Sequence, residues 1–258
     1  MQNIVKVELE DFKTELIFQN SYTKFISVFE TFSYQPPIIT ETFFLSAGLT
    51  SKYDELHNIQ HHVDVYSDAM IILSEFNLEK NSNIGIREYQ RVFELVACAS
   101  LLHDAIDHEY ADKYFTNIKK IEKFLDENST HDKSFKDDMK WILDNVSYSK
   151  EIKSGYKFHK NKWVQLVRNI VSDADKLQSL GINGIIRSQQ YVKMVNNGAS
   201  SNEVTNITLQ YCNKKLLKLK DHYMRTLPGK RMAEKGHQFI WEFVQKNTKK
   251  NEEKNENE

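Results

Sequence analysis

Two short stretches of the chain carry residue types that can do chemistry. In His57-Asn58-Ile59-Gln60-His61-His62-Val63-Asp64-Val65 the histidines at 57 and 61 stand four apart, so on a helix both imidazoles leave one face, about one turn from each other. His62 points about 100° away from His61 and reads as surface or structural. Further on, Leu101-Leu102-His103-Asp104 places an adjacent imidazole and carboxylate where a long apolar run ends. Burying such groups without a partner is costly, most of all for a charge. A divalent metal ion is one partner that satisfies all of them at once. A third stretch, Ser172-Asp173-Ala174-Asp175-Lys176-Leu177, offers two more carboxylates. On a helix they project about 200° apart, so only one readily joins the histidines. Asp173, three after Ile170 and four before Leu177, lies nearer the apolar face, and periodicity by itself does not assign the role to Asp175.

The elements that must position these residues are helical. His57, His61, Val65, Ala69, Ile72 and Leu73 make one face of a helix from Asp54 to about Leu78, with Asp54 as N-cap or first-turn residue. Residues 86–102 are apolar on most sides and predict a central helix that ends at His103. Amphipathic helices follow around Ile118–Leu125 and Met139–Val146, and another from Val164 to Leu177 carries the distant Asp. Between them, residues 147–162 hold Lys150, Lys153, Lys157, His159, Lys160 and Lys162, with Gly155 as the one breaker, and read as a mobile basic loop, in the first place a solvated one and in the second a lid over phosphates. Helices are expected after Gly181 and Gly184 up to Asn196-Asn197-Gly198, from Leu209 to Met224, and from Met232 to Val244. Before the first motif, Val5, Leu9, Phe12 and Leu16, then Phe25, Ile26, Val28, Phe29 and Phe32 ahead of Pro36-Pro37, predict two helices and a loop. After Val244 no apolar residue remains, and residues 246–258 are expected to form a disordered charged tail.

Composition bounds the function. The 258 residues are 40% hydrophobic, enough for a substantial core, and the formal charge of -1 excludes a surface built throughout to neutralise nucleic-acid phosphates. Any anionic ligand must be met locally. Two cysteines form no disulfide framework, and Cys98 lies in an apolar run, which fits a reducing compartment. The start lacks the pattern of a secretory signal and no apolar run is long enough to span a bilayer, so the expected location is cytoplasmic. Eight Gly and three Pro leave few breaks and favour long helices.

The order of a single His, an adjacent His-Asp and a distant Asp resembles the HD superfamily of metal-dependent phosphohydrolases. The run Asp173-Ala174-Asp175-Lys176-Leu177-Gln178-Ser179-Leu180-Gly181-Ile182-Asn183-Gly184-Ile185-Ile186-Arg187 is similar to the string Asp-Ala-Asp-Arg-Leu-Asp-Ala-x-Gly-x-x-Gly-x-x-Arg of small bacterial HD proteins that include nucleotide pyrophosphohydrolases. Lys215-Leu216-Leu217-Lys218-Leu219-Lys220 through Thr226, then Gly229-Lys230-Arg231-Met232-Ala233-Glu234, resembles the tail that follows it. The resemblance covers roughly residues 57 to 245. It departs at Gln178, where the relatives carry Asp, and at the N-terminus, where they place their first His close to the start. It implies an all-α, single-domain helical bundle of the HD type over 51–245, preceded by an N-terminal helical extension over 1–50 that is read as packing without chemistry.

The same resemblance implies that one divalent metal ion is held by His61, His103, Asp104 and Asp175, the last chosen over Asp173. A mixed nitrogen and oxygen site suits Mn, Mg, Fe or Zn. His57-Asn58-Ile59-Gln60-His61 is similar to the His-Asn-x-x-His string of the cyclic-nucleotide phosphodiesterases, and that implies a general-acid role for His57 beside Asp104 as the other catalytic residue. Lys176, Arg187 and Lys150 are the candidates for phosphate oxygens, Arg187 through its planar fork. The expected activity is hydrolysis of a nucleotide, in first place a nucleoside triphosphate to monophosphate and pyrophosphate. The alternatives are a phosphodiesterase or phosphomonoesterase of the same superfamily, or a nucleotide-binding regulator without turnover. The expected partner is a nucleotide or other small phosphorylated substrate, with no membrane and no extended nucleic acid, and self-association is left open.

Overall fold

The computed structural model of the chain describes residues 16–51, 58–78, 84–105, 111–128 and 133–255. Among them there are helices and no strand, as the scarcity of breakers predicts. The helices are α1 (Leu16–Phe29), α2 (Pro37–Thr50), α3 (Ile59–Glu75), α4 (Ile86–Leu102), α5 (Ala111–Asn128), α6 (Lys133–Asn145), α7 (Tyr148–Ser154), α8 (Lys162–Leu177), α9 (Gly181–Val195), α10 (Ser201–Tyr211) and α11 (Leu227–Asn255). Two π-helical segments, Cys212–Leu216 and Leu219–Tyr223, stand between α10 and α11. No helix of the described residues is long and apolar enough to cross a membrane.

Packing divides the chain into two compact units between Ala174 and Asp175, where the sequence reads as one domain from 51 to 245. The division falls inside α8, whose helix is unbroken through Leu177. In the first unit α4 is central: every residue from Val92 to Leu102 is buried. A helix enclosed on all sides has no polar stripe, which is why its sequence reads as apolar nearly all round. Glu94 is the one charged residue in that run, and Tyr34 Oη donates to it at 2.5 Å. Burial, then the bond and charge of Glu94, push the Tyr34 phenol up.

α1 packs on α3, and α2 packs on both α3 and α4. Phe25 stacks on Phe43 at 4.7 Å between centroids and lies 5.3 Å from Tyr66. Thr42 Oγ1 donates to Cys98 Sγ at 3.3 Å across the seam between α2 and α4. The described part of residues 1–50 therefore shares one core with the motif-bearing helices. The sequence reading stops the first helices at Pro36-Pro37 and misses α2. Pro37 instead opens that helix, a position where its missing N–H is no loss, and burial of Ile38, Ile39, Phe43, Ala47 and Leu49 around much of its girth hides any period. The helix predicted from Val5 lies outside the described residues except for its end at Leu16.

Two further expectations are corrected. Residues 148–154 form α7 rather than part of a loop. The Ser147 side chain caps it, and Glu151 is buried against Arg168 with Nη2 to Oε2 at 2.7 Å. The remaining loop is fastened as well: His159 N–H donates to Gln165 Oε1 at 2.7 Å, and Asn161 Oδ1 accepts from Trp163 N–H at 2.9 Å. Composition cannot show a carboxylate answered by a cation seventeen residues away. At the other end, α11 runs through Asn255, so the backbone of 246–255 is helical where disorder is predicted. Lys and Glu are good helix formers and extend a helix already nucleated by the buried residues Ala233, Ile240 and Val244.

The second unit contains α9, α10, the π-helical segments and α11. Gly184 is required there because a Cβ would lie 2.1 Å from the Ser179 carbonyl oxygen. The glycine spacing of the sequence motif is thus a packing constraint of the start of α9.

Candidate metal centre

The side chains that matter project from helix ends. Asn58 caps α3, its Oδ1 accepting from Gln60 N–H at 2.9 Å, so His61 leaves the first turn. α4 ends at Leu102, and the next two residues are His103 and Asp104. Asp175 stands in the last turn of α8.

His61, His103, Asp104 and Asp175 each offer one ligand atom, and these atoms all lie within 4.8 Å of one another. The His61 and His103 Nε2 atoms are 3.2 Å apart, and Asp104 Oδ2 is 3.3 Å from the first and 3.2 Å from the second. Both histidines are buried, and Asp104 keeps 20% of its side chain exposed, which leaves a route to solvent. His103 Nδ1 lies 2.8 Å from the Ser100 carbonyl oxygen. A carbonyl only accepts, so Nδ1 carries the proton and the Nε2 lone pair faces the cluster, the arrangement by which histidines present themselves to metals.

Two imidazole nitrogens and a carboxylate at these separations need either ring protons or a cation among them. The residues therefore fit a divalent ion: nitrogen and oxygen donors, converging, largely enclosed, with one ring tautomer fixed by backbone. With no ion bound, burial works to raise the Asp104 carboxyl, but His103 protonated on both nitrogens, by its charge and hydrogen bond, and a hydrogen bond from His61 outweigh it and hold Asp104 well below the usual carboxylate range. An ion would take the place of those ring protons. Asp104 is thus a charged donor at neutral pH.

Among the other residues singled out by sequence, His57 lies outside the described residues. Asp173 is fully buried and does not join the cluster, whereas Asp175 does. Lys176 is buried, Arg187 is partly buried on α9, and Lys150 lies on α7 with its Nζ 3.8 Å from Asp144. His159, Lys160 and Asn161 border a cleft of about 970 Å³ with Arg87, Arg91 and Trp141. Arg91 and His103 are twelve residues apart on α4, about 18 Å along the helix, so that cleft belongs to its opposite end. His62, read as surface or structural, is fully buried and structural: Nδ1 lies 2.7 Å from the Leu101 carbonyl oxygen. Burial, then the charge of His103, lowers its pKa to about 3.

Comparison with protein-family models gives no match, and comparison with curated proteins gives none. Among solved structures, Bacillus subtilis YpgQ in complex with ADP is similar at 18% identity over 83% of this chain and 95% of that one, with a TM-score of 0.58. An HD-superfamily hydrolase from Bacillus thuringiensis is 22% identical over 82% of this chain and 95% of its own, with a TM-score of 0.56. A Lactobacillus plantarum protein reaches a TM-score of 0.61 at 20% identity, covering 83% of this chain and 96% of that one. The fold is the one seen in these solved structures, the HD-superfamily hydrolase among them. On this HD fold, the adjacent His103-Asp104 pair stands at the end of the central helix, with the other two donors brought to it from α3 and α8.

Proposed function

We propose that the protein is a metal-dependent nucleotide phosphohydrolase that converts a nucleoside triphosphate and water to the monophosphate and pyrophosphate. The observation that carries this reading is the convergence of His61, His103, Asp104 and Asp175. A fold shared with an HD-superfamily hydrolase and with YpgQ, which was seen in complex with ADP, supports a phosphorylated nucleotide as substrate. When bound by these four residues, a divalent ion would lower the pKa of a water molecule and offset charge on a phosphate oxygen.

The chain's own groups have separate tasks. Ser100 holds the His103 ring with its basic nitrogen outward, and Asp104 remains ionised because both imidazoles face it. Asn58 caps the N-terminal turn of α3, the turn from which His61 projects. His57 is proposed as the general acid for the leaving oxygen, and Lys176, Arg187 and Lys150 as contacts to phosphate oxygens. The His57-Asn58-x-x-His61 string favours a second reading, a phosphodiesterase or phosphomonoesterase at the same site. Product analysis separates the two, because pyrophosphate forms only in the first.

Purified protein with Mn is expected to hydrolyse nucleoside triphosphates and release pyrophosphate. Asp104→Ala is expected to lose more than about 100-fold in rate, since removing even an outer partner of a metal ligand costs 10–100-fold. Full activity in that variant would refute the assignment.

A further inference from the structure

The end of α4 is held by groups outside the cluster. The last carbonyls of a helix have no partner within it and must be satisfied by other donors. Here the Ser100 carbonyl accepts from His103 Nδ1, and the Leu102 carbonyl accepts from Ala105 N–H at 3.0 Å. Between them, the Leu101 carbonyl accepts from two side chains: Ser46 Oγ at 2.5 Å and His62 Nδ1 at 2.7 Å. Ser46 Oγ and His62 Nδ1 are themselves 3.2 Å apart, so the two donors and the carbonyl form one closed group. All of it is fully buried.

Each donor comes from a different helix, Ser46 from α2 and His62 from α3, so three helices meet on one peptide group. That peptide lies two residues before His103 and three before Asp104. The His62 ring also packs on the His103 ring, with centroids 4.9 Å apart. His62 adjoins His61 in sequence, so a shift of α3 against α4 would move a donor of the cluster and its support together.

We propose that Ser46 and His62 are positioning residues of the metal centre: by donating to the Leu101 carbonyl they fix the helix end from which His103 and Asp104 project. This rests on the reading that the cluster binds a divalent ion. It also gives residues before the first histidine motif a task at the site, because Ser46 belongs to α2.

The test is Mn titration of the chelator-treated full chain by calorimetry, with urea unfolding of each variant in metal-free buffer alongside. Ser46→Ala removes one donor with almost no change of volume. His62→Leu fills the space without donating, and His62→Asn restores a donor near the Nδ1 position. Ser46→Ala and His62→Leu are expected to weaken Mn binding 10–100-fold, and His62→Asn to recover most of the loss even if it is no more stable than His62→Leu. Wild-type affinity in folded Ser46→Ala would overturn the proposal whatever the change in stability, as would equal losses in His62→Leu and His62→Asn. Wild-type protein that binds Mn without cleaving nucleotides removes the hydrolase reading and leaves this test valid. Wild-type protein that binds no Mn removes both.

Discussion

At His103 the bond made by one ring nitrogen decides what the other can do. Nδ1 is committed to the Ser100 carbonyl, so Nε2 faces the cluster as a lone pair. His62 shows the same chemistry used for another end: its Nδ1 is committed to Leu101, and its pKa falls to about 3 through burial first and the charge of His103 second. The sign of the pH effect follows. An unfolded His62 takes up a proton below its ordinary value of 6.5, whereas the folded one does not until about 3. Unfolding is therefore favoured as pH falls through that window, by about 1.4 kcal/mol per pH unit for one proton. The depressed Asp104 carboxyl acts in the same direction, but only below its ordinary 3.8. Urea unfolding of metal-free protein between pH 6 and 4 is expected to show a slope that His62→Leu reduces by about 1.4 kcal/mol per unit. An unchanged slope would show that His62 does not stay neutral in the fold.

At the scale of elements, α8 must be held so that Asp175 reaches its place. Arg168, two turns earlier, donates through Nε to the Asn145 carbonyl at 2.7 Å and through Nη2 to Glu151, while Ser172 Oγ donates to the Val146 carbonyl at 2.8 Å. Both ends of the Arg168–Glu151 pair are buried. Removing one partner leaves a charge without an answer, so Glu151→Ala is expected to cost about 3–5 kcal/mol in urea unfolding, and Glu151→Gln less. A loss under about 1 kcal/mol would mean that water reaches Arg168. Much of this scale was legible in sequence. The bounds of α4 follow from its apolar run and the His103 that ends it, and α8 from its period, because each signal is local. α2 was hidden because a helix buried around its girth shows no stripe. α7 was hidden because a Lys-rich segment gives no sign that Glu151 turns inward to Arg168. For the metal cluster, residue types and order narrowed the donors, yet periodicity pointed at Asp173. Asp175 was preferred only through the family string, and it is Asp175 that stands with the histidines.

For the whole molecule, the HD fold explains why donors from residues 61, 103, 104 and 175 can converge: each rides the end of a helix whose remainder is packed in the core. Helix ends give short, well-aimed side chains and leave backbone groups there to orient them. The central claim is that these four side chains hold one cation. Crystals of the chain soaked with Mn and measured at the Mn absorption edge test it directly. The prediction is a single strong anomalous peak about 2.0–2.3 Å from His61 Nε2, His103 Nε2 and one oxygen each of Asp104 and Asp175, as expected for nitrogen and oxygen donors. No peak among these atoms, with Mn bound elsewhere or not at all, would contradict it.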